Sequence, residues 1–500
     1  MGSPSTEAVA AHAARASAPR SSRLTIDRVW ALLPALVPVL VSMMSRMVAI
    51  DLAYHVRAGE LLLTTGHIPS VDTFTFSVAG KPWLDQQWGA QLLLALAYRA
   101  GGWGTVSFLR ALLIGTTFTF VYLACRARGA KPAHAAALSL AGFVVALQAL
   151  AMRPQLFAIT LFAASVWALA TRTEHPRRVW LIPVFTVLWA NLHGSFVLGP
   201  LLIGLAWIED LLEGRRSEAL SLVPVGIATI LGTFLTPFGP LVWRYAYQLA
   251  ANPVVRNNVS EWAPVTIRSF GGAAFFASGL AVAGYLARQE GRARWADLLL
   301  LTVFLVLALP AVRGIVWWSI IAPVVVAAYV RSKDPGSEDP AARQGSPLLN
   351  RLLVGVLLAG ILLALPWWRA GSTTAMLSQA PVGLSDGVGR ALPTGTRLFV
   401  SEPWGSWFEY ALPSIPVFVD PRIEIFPTTV WNDYTEVRAG GSRWQAILDR
   451  WQIKAVVVDR EDFPRLLSVM QSSTQWTAVY QDHDGVLFVR AAGATTPQSG

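Results

Sequence analysis

Residues 30–55 read WALLPALVPVLVSMMSRMVAIDLAYH. The apolar run from Trp30 to Ile50 follows four arginines, Arg15, Arg20, Arg23 and Arg28. It is longer than the ~7–15 residue core of a cleaved signal peptide, so it reads as an uncleaved signal anchor crossing a bilayer. Asp51 stands where the chain leaves the apolar layer, and His55 follows one helical turn later.

The rest of the chain extends that reading. Of 500 residues, 54% are hydrophobic and only 14% charged, against roughly 25% charged in ordinary globular proteins. Further apolar spans fall near 103–124, 133–151, 155–171, 178–192, 195–212, 219–235, 273–287, 296–310, 314–330 and 351–368. The composition excludes a soluble cytosolic enzyme and a disordered chain. The net charge of +10 is spread over short loops instead of one patch, which argues for positive-inside loops and against nucleic acid as a partner. A lone Cys125 excludes a disulfide framework and a thiolate metal cluster. The expected fold class is a mainly α polytopic membrane protein of about eleven transmembrane helices with a small C-terminal α/β domain. Its expected parts are a disordered cytoplasmic tail (1–27), a transmembrane domain (28–369) with an outer loop of interfacial helices (51–102), an extracytoplasmic α/β domain (370–492) and a disordered tail (493–500).

Basic residues set the topology. With a cytoplasmic N-terminus, the inside loops hold Arg126, Arg128 and Lys131; Arg172, Arg177 and Arg178; Arg215 and Arg216; Arg288, Arg292 and Arg294; and Arg331, Lys333, Arg343 and Arg351. The four tail arginines bring these to nineteen. The outside loops hold eight: Arg57, Lys81, Arg99, Arg153, Arg244, Arg256, Arg268 and Arg313. The apolar stretch from Trp88 to Tyr98 is shorter than the ~17 residues needed to span. Letting it cross would invert the loops from Arg126 to Arg178 and erase the bias. Residues 83–100 are therefore expected as an interfacial helix on the outer face, with Trp83 and Trp88 as headgroup-level anchors.

This topology gathers polar residues at the outer helix mouths. Met152-Arg153-Pro154-Gln155, Asn191-Leu192-His193-Gly194 and Pro310-Ala311-Val312-Arg313-Gly314 each open a span on that face, joined by Asp85, Gln86, Gln87 and Glu261. Ionisable groups at membrane depth face a wet cavity or one another; singly, each reads as a snorkelling interfacial residue. Asp51 and His55, four apart on one helix stripe, suit a general base beside a phosphate-binding group and equally suit a surface pair without chemistry.

The Asp after the first span, the outer-loop strings Gly66-His67-Ile68-Pro69 and Gly80-Lys81-Pro82-Trp83, and Arg110 opening the next span resemble the GT-C glycosyltransferases. The likeness is to the branch of protein O-mannosyltransferases and lipid A aminoarabinose transferases. Arg153-Pro154-Gln155-Leu156-Phe157 and Trp189-Ala190-Asn191-Leu192-His193-Gly194 are similar to a large group of bacterial membrane proteins of that class. In that group a small C-terminal domain carries a pattern like Trp404-Gly405 and Asp420-Pro421-Arg422. The likeness is strong over 48–200 and weak over 270–370. It implies inverting transfer of a sugar from a polyprenyl-phosphate donor to a hydroxyl acceptor of a lipid, glycan or protein, outside the bacterial inner membrane. Asp51 maps onto the family's acceptor-activating base. Many relatives carry paired acids there, whereas Ile50-Asp51-Leu52 has no acidic neighbour. A second carboxylate then comes from Asp85 or Glu60, and the missing pair leaves a divalent metal without support, so no cofactor is assigned.

The residue types fit that chemistry. A carboxylate takes the acceptor proton, while Arg or His donors meet the charge growing on the lipid phosphate. His55, Arg153, Asn191, His193, Glu261 and Arg313 are the candidate donor-binding set. Other strings are bland. Asp482-His483-Asp484 precedes Gly485 between two strand-like runs and reads as a hairpin turn; Asn258-Val259-Ser260 is a sequon in form only. No Gly-rich phosphate loop follows a strand, and the histidines are too scattered for zinc.

The C-terminal domain predicts strands near 397–401, 416–419, 454–458, 476–481 and 486–490, and helices near 404–411, 430–438, 442–451 and 462–471. Trp404, Trp407, Arg422 and Glu424 fit either an acceptor-binding cap or a lid with a packed aromatic core. Two rival functions remain: a transporter or flippase of lipid-linked sugars, and a non-catalytic assembly protein with the same fold.

Overall fold

A computed structural model describes residues 24–252, 254, 260–289, 291–330, 346–368 and 373–491. Most of the N-terminal tail, the C-terminal tail, Arg256, the sequon's Asn258 and Val259, Arg331, Lys333 and Arg343 lie outside the described residues, as does the domain boundary at 369/370.

Eleven helices stand where the apolar spans are expected. They are α1 (Ile26–Met44), the second half of α3 (Trp88–Ala127), α4 (Pro132–Ala146), α5 (Pro154–Ala170), α6 (Leu181–Ala190), α7 (Leu198–Leu212), α8 (Arg216–Gly232), α10 (Phe270–Ala287), α11 (Trp295–Ala308), α12 (Ile315–Ala327) and α13 (Pro347–Leu363). By length and composition alone, five apolar segments among the described residues reach membrane-crossing size: 26–44, 88–127, 132–149, 194–212 and 270–287. Large apolar side chains stay bare on outward faces, as at Leu280 (76% exposed) and Leu363 (79%), which suits lipid as the surrounding solvent. Small residues let helices approach closely. A Cβ on Gly142 of α4 would lie 2.4 Å from the Ser319 carbonyl oxygen of α12.

The two ends of the bundle separate the loops as their order requires. At one end Arg128, Arg172, Arg215 and Arg294 interlock with Glu209, Asp210, Glu213 and Asp297: Arg128–Asp297 is 2.6 Å, Arg172–Glu209 2.8 Å and Arg172–Asp210 2.9 Å. The four arginines follow the second, fourth, sixth and eighth crossings. Asp51, Arg153, His193 and Arg313, after the first, third, fifth and ninth, line one cavity at the other end.

The outer loop departs from expectation. Leu52–Thr65 forms α2, and the next helix starts at Trp88 instead of Trp83. α3 runs on into the second span across a break at Gly101 and Gly102, where Gly102 has φ 62°. Trp83 is no headgroup anchor. It is 6% exposed, and its ring stacks on the Arg422 guanidinium at 4.5 Å. Trp88 is half-buried and donates to Asn191 Oδ1 at 3.1 Å. Arg110 lies about two turns past the Gly101–Gly102 break and donates to the Ser42, Ser45 and Arg46 carbonyls, so it caps the C-terminus of α1 instead of opening a span.

In the C-terminal domain, β3 (Leu398–Phe399), β4 (Ala455–Asp459), β5 (Trp476–Gln481) and β6 (Gly485–Arg490) make one sheet of order β3-β4-β6-β5. β3 and β4 run parallel; β4–β6 and β5–β6 are antiparallel. The hairpin β5–β6 turns through Asp482-His483-Asp484, with Asp482 Oδ1 accepting from the backbone N–H of Asp484 and Gly485. Four helices fall at the predicted places: α16 (Glu402–Ala411), α17 (Thr428–Arg438), α18 (Trp444–Arg450) and α19 (Pro464–Gln471). The expected strand at 416–419 is only a pair of isolated bridges, Val417 to Leu398 and to Thr75. There the outer loop fastens to the domain: Phe76 N–H donates to Val417 O at 3.1 Å and Ser77 Oγ to Phe418 O at 2.5 Å. Trp404-Gly405 and Asp420 abut, because a Cβ on Gly405 would lie 2.4 Å from the Val419 carbonyl oxygen. Three further elements were not anticipated: α14 (Thr373–Met376), β2 (Leu377–Ser378) and α15 (Val382–Ala391). β2 pairs in parallel with β1 (Met47–Val48), just before Asp51.

The alternation of ends gives a labelling test. Ser217 is exposed on the ion-paired end, and His483 is 89% exposed on the hairpin. Native Cys125 is buried and should stay silent. In intact cells an impermeant maleimide should label His483→Cys and leave Ser217→Cys untouched until the membrane is permeabilised. Equal labelling would break the parity of crossings; the reverse pattern would invert the orientation drawn from positive charge.

Candidate active site

Four side chains of the cavity, Asp51, Arg153, His193 and Arg313, are aimed by local breaks in helical structure. Asp51 has φ 62° and ψ −46°, and the Leu52 N–H donates to the Ile50 carbonyl at 2.7 Å. That is a strained γ-turn centred on Asp51. Arg153 precedes Pro154, which forces it into extended backbone (φ −147°, ψ 165°) just before α5. His193 is likewise extended ahead of a short 3-10 turn. Arg313 occupies another such turn before α12, following Pro310.

The cavity encloses about 830 Å³. Arg153 stands between two carboxylates: its Nε lies 3.2 Å from Asp51 Oδ2, and its Nη1 pairs closely with Glu261. Arg313 Nη2 donates to His193 Nε2 at 3.2 Å. A guanidinium has only donors, so His193 Nε2 accepts from Arg313, while Nδ1 lies 2.8 Å from Ser195 Oγ and 3.2 Å from the Ser195 backbone nitrogen. Trp262 covers the Arg313 guanidinium at 4.7 Å. Burial, then Arg313 and His55, hold the His193 pKa well below the usual imidazole value, so the ring is neutral. Burial and two arginines, Arg153 and Arg422, do the same to His55. Burial pushes the Asp51 carboxyl up, against the pull of Arg153 and Arg313.

Of the residues singled out from sequence, Asp51, His55, Arg153, His193, Glu261 and Arg313 share this cavity. Asp85 and Asn191 do not line it. Asn191 is occupied in packing: its Nδ2 donates to the Val187 and Leu235 carbonyls at 2.9 Å each, and its Oδ1 accepts from Trp88. Asp85 is 2% exposed, with Oδ1 accepting from Gln91 Nε2 at 2.8 Å and Oδ2 buried without a hydrogen bond. Glu60, the other candidate acid, is engaged at the surface by Arg99 at 2.7 Å. Trp404, Trp407 and Arg422 also stay out of the cavity, Arg422 buried between the domain and the outer loop. Glu424 does reach it, with Oε1 accepting from Tyr245 at 2.9 Å.

Among the cavity residues not singled out from sequence are four polar ones, Glu402, Tyr434, Arg438 and Asp462. They belong to the C-terminal domain, whose docking onto the bundle no local pattern reveals. The one usable hint was Ser401-Glu402-Pro403, a helix start that exposes an acid. Burial, then Asp51 and Asp420, push the Glu402 carboxyl up to about 8. Among the described residues, the acidic–histidine grouping compact enough for a cation is Asp482-His483-Asp484 on the hairpin, and none of the three lines the cavity.

Asp85 supplies a stability prediction. Burial raises its carboxyl from 3.8 to about 7, so between those values the folded chain holds a proton that the unfolded chain has lost. The stabilisation is full below pH 4 and fades as pH rises toward 7. Asp85→Asn should therefore gain thermal stability relative to the native chain at pH 8 and lose that advantage at pH 5. A melting difference independent of pH would place the titration elsewhere.

No protein-family model and no curated protein sequence matches this chain. Solved structures do match it in fold. An archaeal oligosaccharyltransferase, AglB from Archaeoglobus fulgidus in complex with an inhibitory peptide and a dolichol-phosphate, superposes with TM-score 0.55 at 11% identity, over 94% of this chain and 75% of that one. ArnT from Cupriavidus metallidurans, bound to undecaprenyl phosphate, gives 0.50 at 14%, over 93% and 98%. The arabinofuranosyltransferase AftD from Mycobacteria gives 0.53 at 17%, over 93% of this chain and 42% of that one. The polytopic helical bundle with its C-terminal domain thus shares its fold with these three solved structures.

Proposed function

We propose that the protein is an inverting glycosyltransferase that moves a sugar from a polyprenyl-phosphate donor to a hydroxyl acceptor, at the outer face of a bacterial inner membrane. The observation that carries this reading is the single cavity in which a half-buried carboxylate, Asp51, faces two guanidinium groups, Arg153 and Arg313. In this reaction the acceptor O–H gives its proton to Asp51 while its oxygen attacks the anomeric carbon. The bond from that carbon to the phosphate oxygen breaks, and polyprenyl phosphate leaves with one more negative charge. Arg153 and Arg313 meet that charge at low dielectric, where it counts most. His193 acts through Arg313, because its Nε2 lone pair is spent on that guanidinium. Glu261 holds Arg153 from the side opposite Asp51. In the same wall, α9 (Leu241–Ala251) presents Trp243, Ala246, Leu249 and Ala250, an apolar surface suited to a polyprenyl tail.

Two of the fold neighbours were solved with dolichol-phosphate or undecaprenyl phosphate bound, which supports a lipid phosphate as the donor's carrier. The topology supports residues 28–369 as the transmembrane unit and 370–492 as an extracytoplasmic domain over the cavity. A flippase would place its charged groups at the bilayer midplane between broken helices; here they gather at one end of the bundle.

Two substitutions test the roles. Asp51→Asn should fold and bind polyprenyl phosphate yet lose roughly 10²–10⁴ in turnover; undiminished turnover would remove Asp51 from the chemistry. Arg153→Lys keeps the charge and loses the planar fork. Its turnover should fall on the order of 10², measured as sugar transferred from a synthetic lipid-phosphate donor, and native turnover would show that the fork is dispensable.

A further inference from the structure

An Asp opening a helix normally turns its carboxylate back onto the N–H of the third helical residue and caps it. Asp51 opens α2 and makes no such bond. Its carboxylate points to Arg153 in the cavity instead. The third helical N–H, that of Tyr54, is taken by Ser406 Oγ at 2.9 Å. Ser406 lies on α16 of the C-terminal domain and is fully buried, 352 residues away in sequence. The chain entering the turn is held by the same domain. Met47 and Val48 pair with Leu377 and Ser378, Ala49 N–H donates to the Ser378 carbonyl at 3.0 Å, and Ser378 Oγ donates to the Met47 carbonyl at 3.2 Å. Between these two anchors lies Asp51, with the positive φ that a β-carbon disfavours.

We propose that Ser406 is a positioning residue for Asp51: by capping α2 in the carboxylate's place, it keeps that carboxylate out of its own helix cap and in the cavity. The proposal rests on the reading of Asp51 as the base. It gives the C-terminal domain a part in the reaction without any contact to substrate. With Ser406 absent, the Tyr54 N–H is buried and unmet. Relaxing the γ-turn lets the Asp51 carboxylate rotate back and satisfy it, as at an ordinary helix start. Arg153 is then left paired with Glu261 alone.

The test compares Ser406→Ala with Ser385→Ala in the full-length protein. Ser385 accepts from Trp407 Nε1 at 3.1 Å, so its loss disturbs the same helix without touching α2. Ser406→Ala should lower kcat about ten-fold, the population change that one helix cap commands, with the KM for a lipid-phosphate sugar donor unchanged. Ser385→Ala should lower only the melting temperature. A kcat for folded Ser406→Ala equal to the native value, or losses of kcat that match in the two variants, would overturn the proposal. A second measurement does not use activity. Asp51→Ala should cost more thermal stability in the Ser406→Ala background than in the native one, because only there is the carboxylate a cap; additive losses would overturn the proposal. If Asp51→Asn keeps full turnover, the assignment of the base fails instead, and the stability cycle still reports whether Ser406 displaces the carboxylate.

Discussion

One buried guanidinium fixes where the outer loop can lie. Arg422 is 2% exposed, pairs with Asp72 of the loop at 2.5 Å, and chelates Asp420 beside it. Phe74 and Trp83 cover its faces at 4.8 and 4.5 Å. A charge so placed is stable only while its partners stay. Removing one carboxylate from such a buried cluster costs about 3–5 kcal/mol, since the charge left behind has no water to turn to. The loop between the first two spans is therefore committed to the C-terminal domain, and α2, which carries His55 and follows Asp51, is carried with it. The cavity has a roof because Arg422 holds the loop beneath the domain.

At the opposite end of the bundle the ion pairs do a different job. Glu209, Asp210 and Asp297 come from two helices and face arginines from four loops. The network ties helix ends whose apolar flanks gain nothing from water exclusion, because lipid surrounds them. Holding those ends together fixes the order in which the opposite ends meet, and so brings Arg153, His193 and Arg313 to one cavity with Asp51.

Most of the bundle was legible because lipid imposes one rule, apolar length, and charge imposes another, the side of each loop. Those two rules placed eleven crossings and grouped Arg153, His193 and Arg313 on one face before any packing was known. What they miss is contact between distant segments. Trp83 looked like an interfacial anchor because nothing nearby reveals a guanidinium 339 positions later in the chain. Asp85 and Asn191 looked functional because they are polar at helix mouths, yet both serve local packing, one buried against Gln91 and the other clamping Trp88. The strands β1 and β2 are two residues each, too short for any alternation, and exist only as a pair. Glu402 faces the cavity only because α16 docks there. The γ-turn at Asp51 has no residue signature, since glycine is what such a backbone would favour.

The same docking bears on the charge balance of the proposed reaction. The cavity holds Asp51, Glu261, Glu402, Glu424 and Asp462 against Arg153, Arg313 and Arg438. Were every acid ionised, a lipid phosphate would meet a net negative wall. Burial pushes Glu402 up to about 8 and raises Glu424 as well, so at neutral pH Glu402 is largely protonated and Glu424 is less ready to ionise. Glu261 is spent on Arg153, whose other side pulls the Asp51 carboxyl down against the burial that raises it. In the proposed reaction, a phosphate near Arg313 would meet less opposing negative charge than the number of acids suggests. Under the proposed function, anion binding and proton abstraction, which oppose each other electrostatically, would be separated within one cavity by which acids burial keeps protonated.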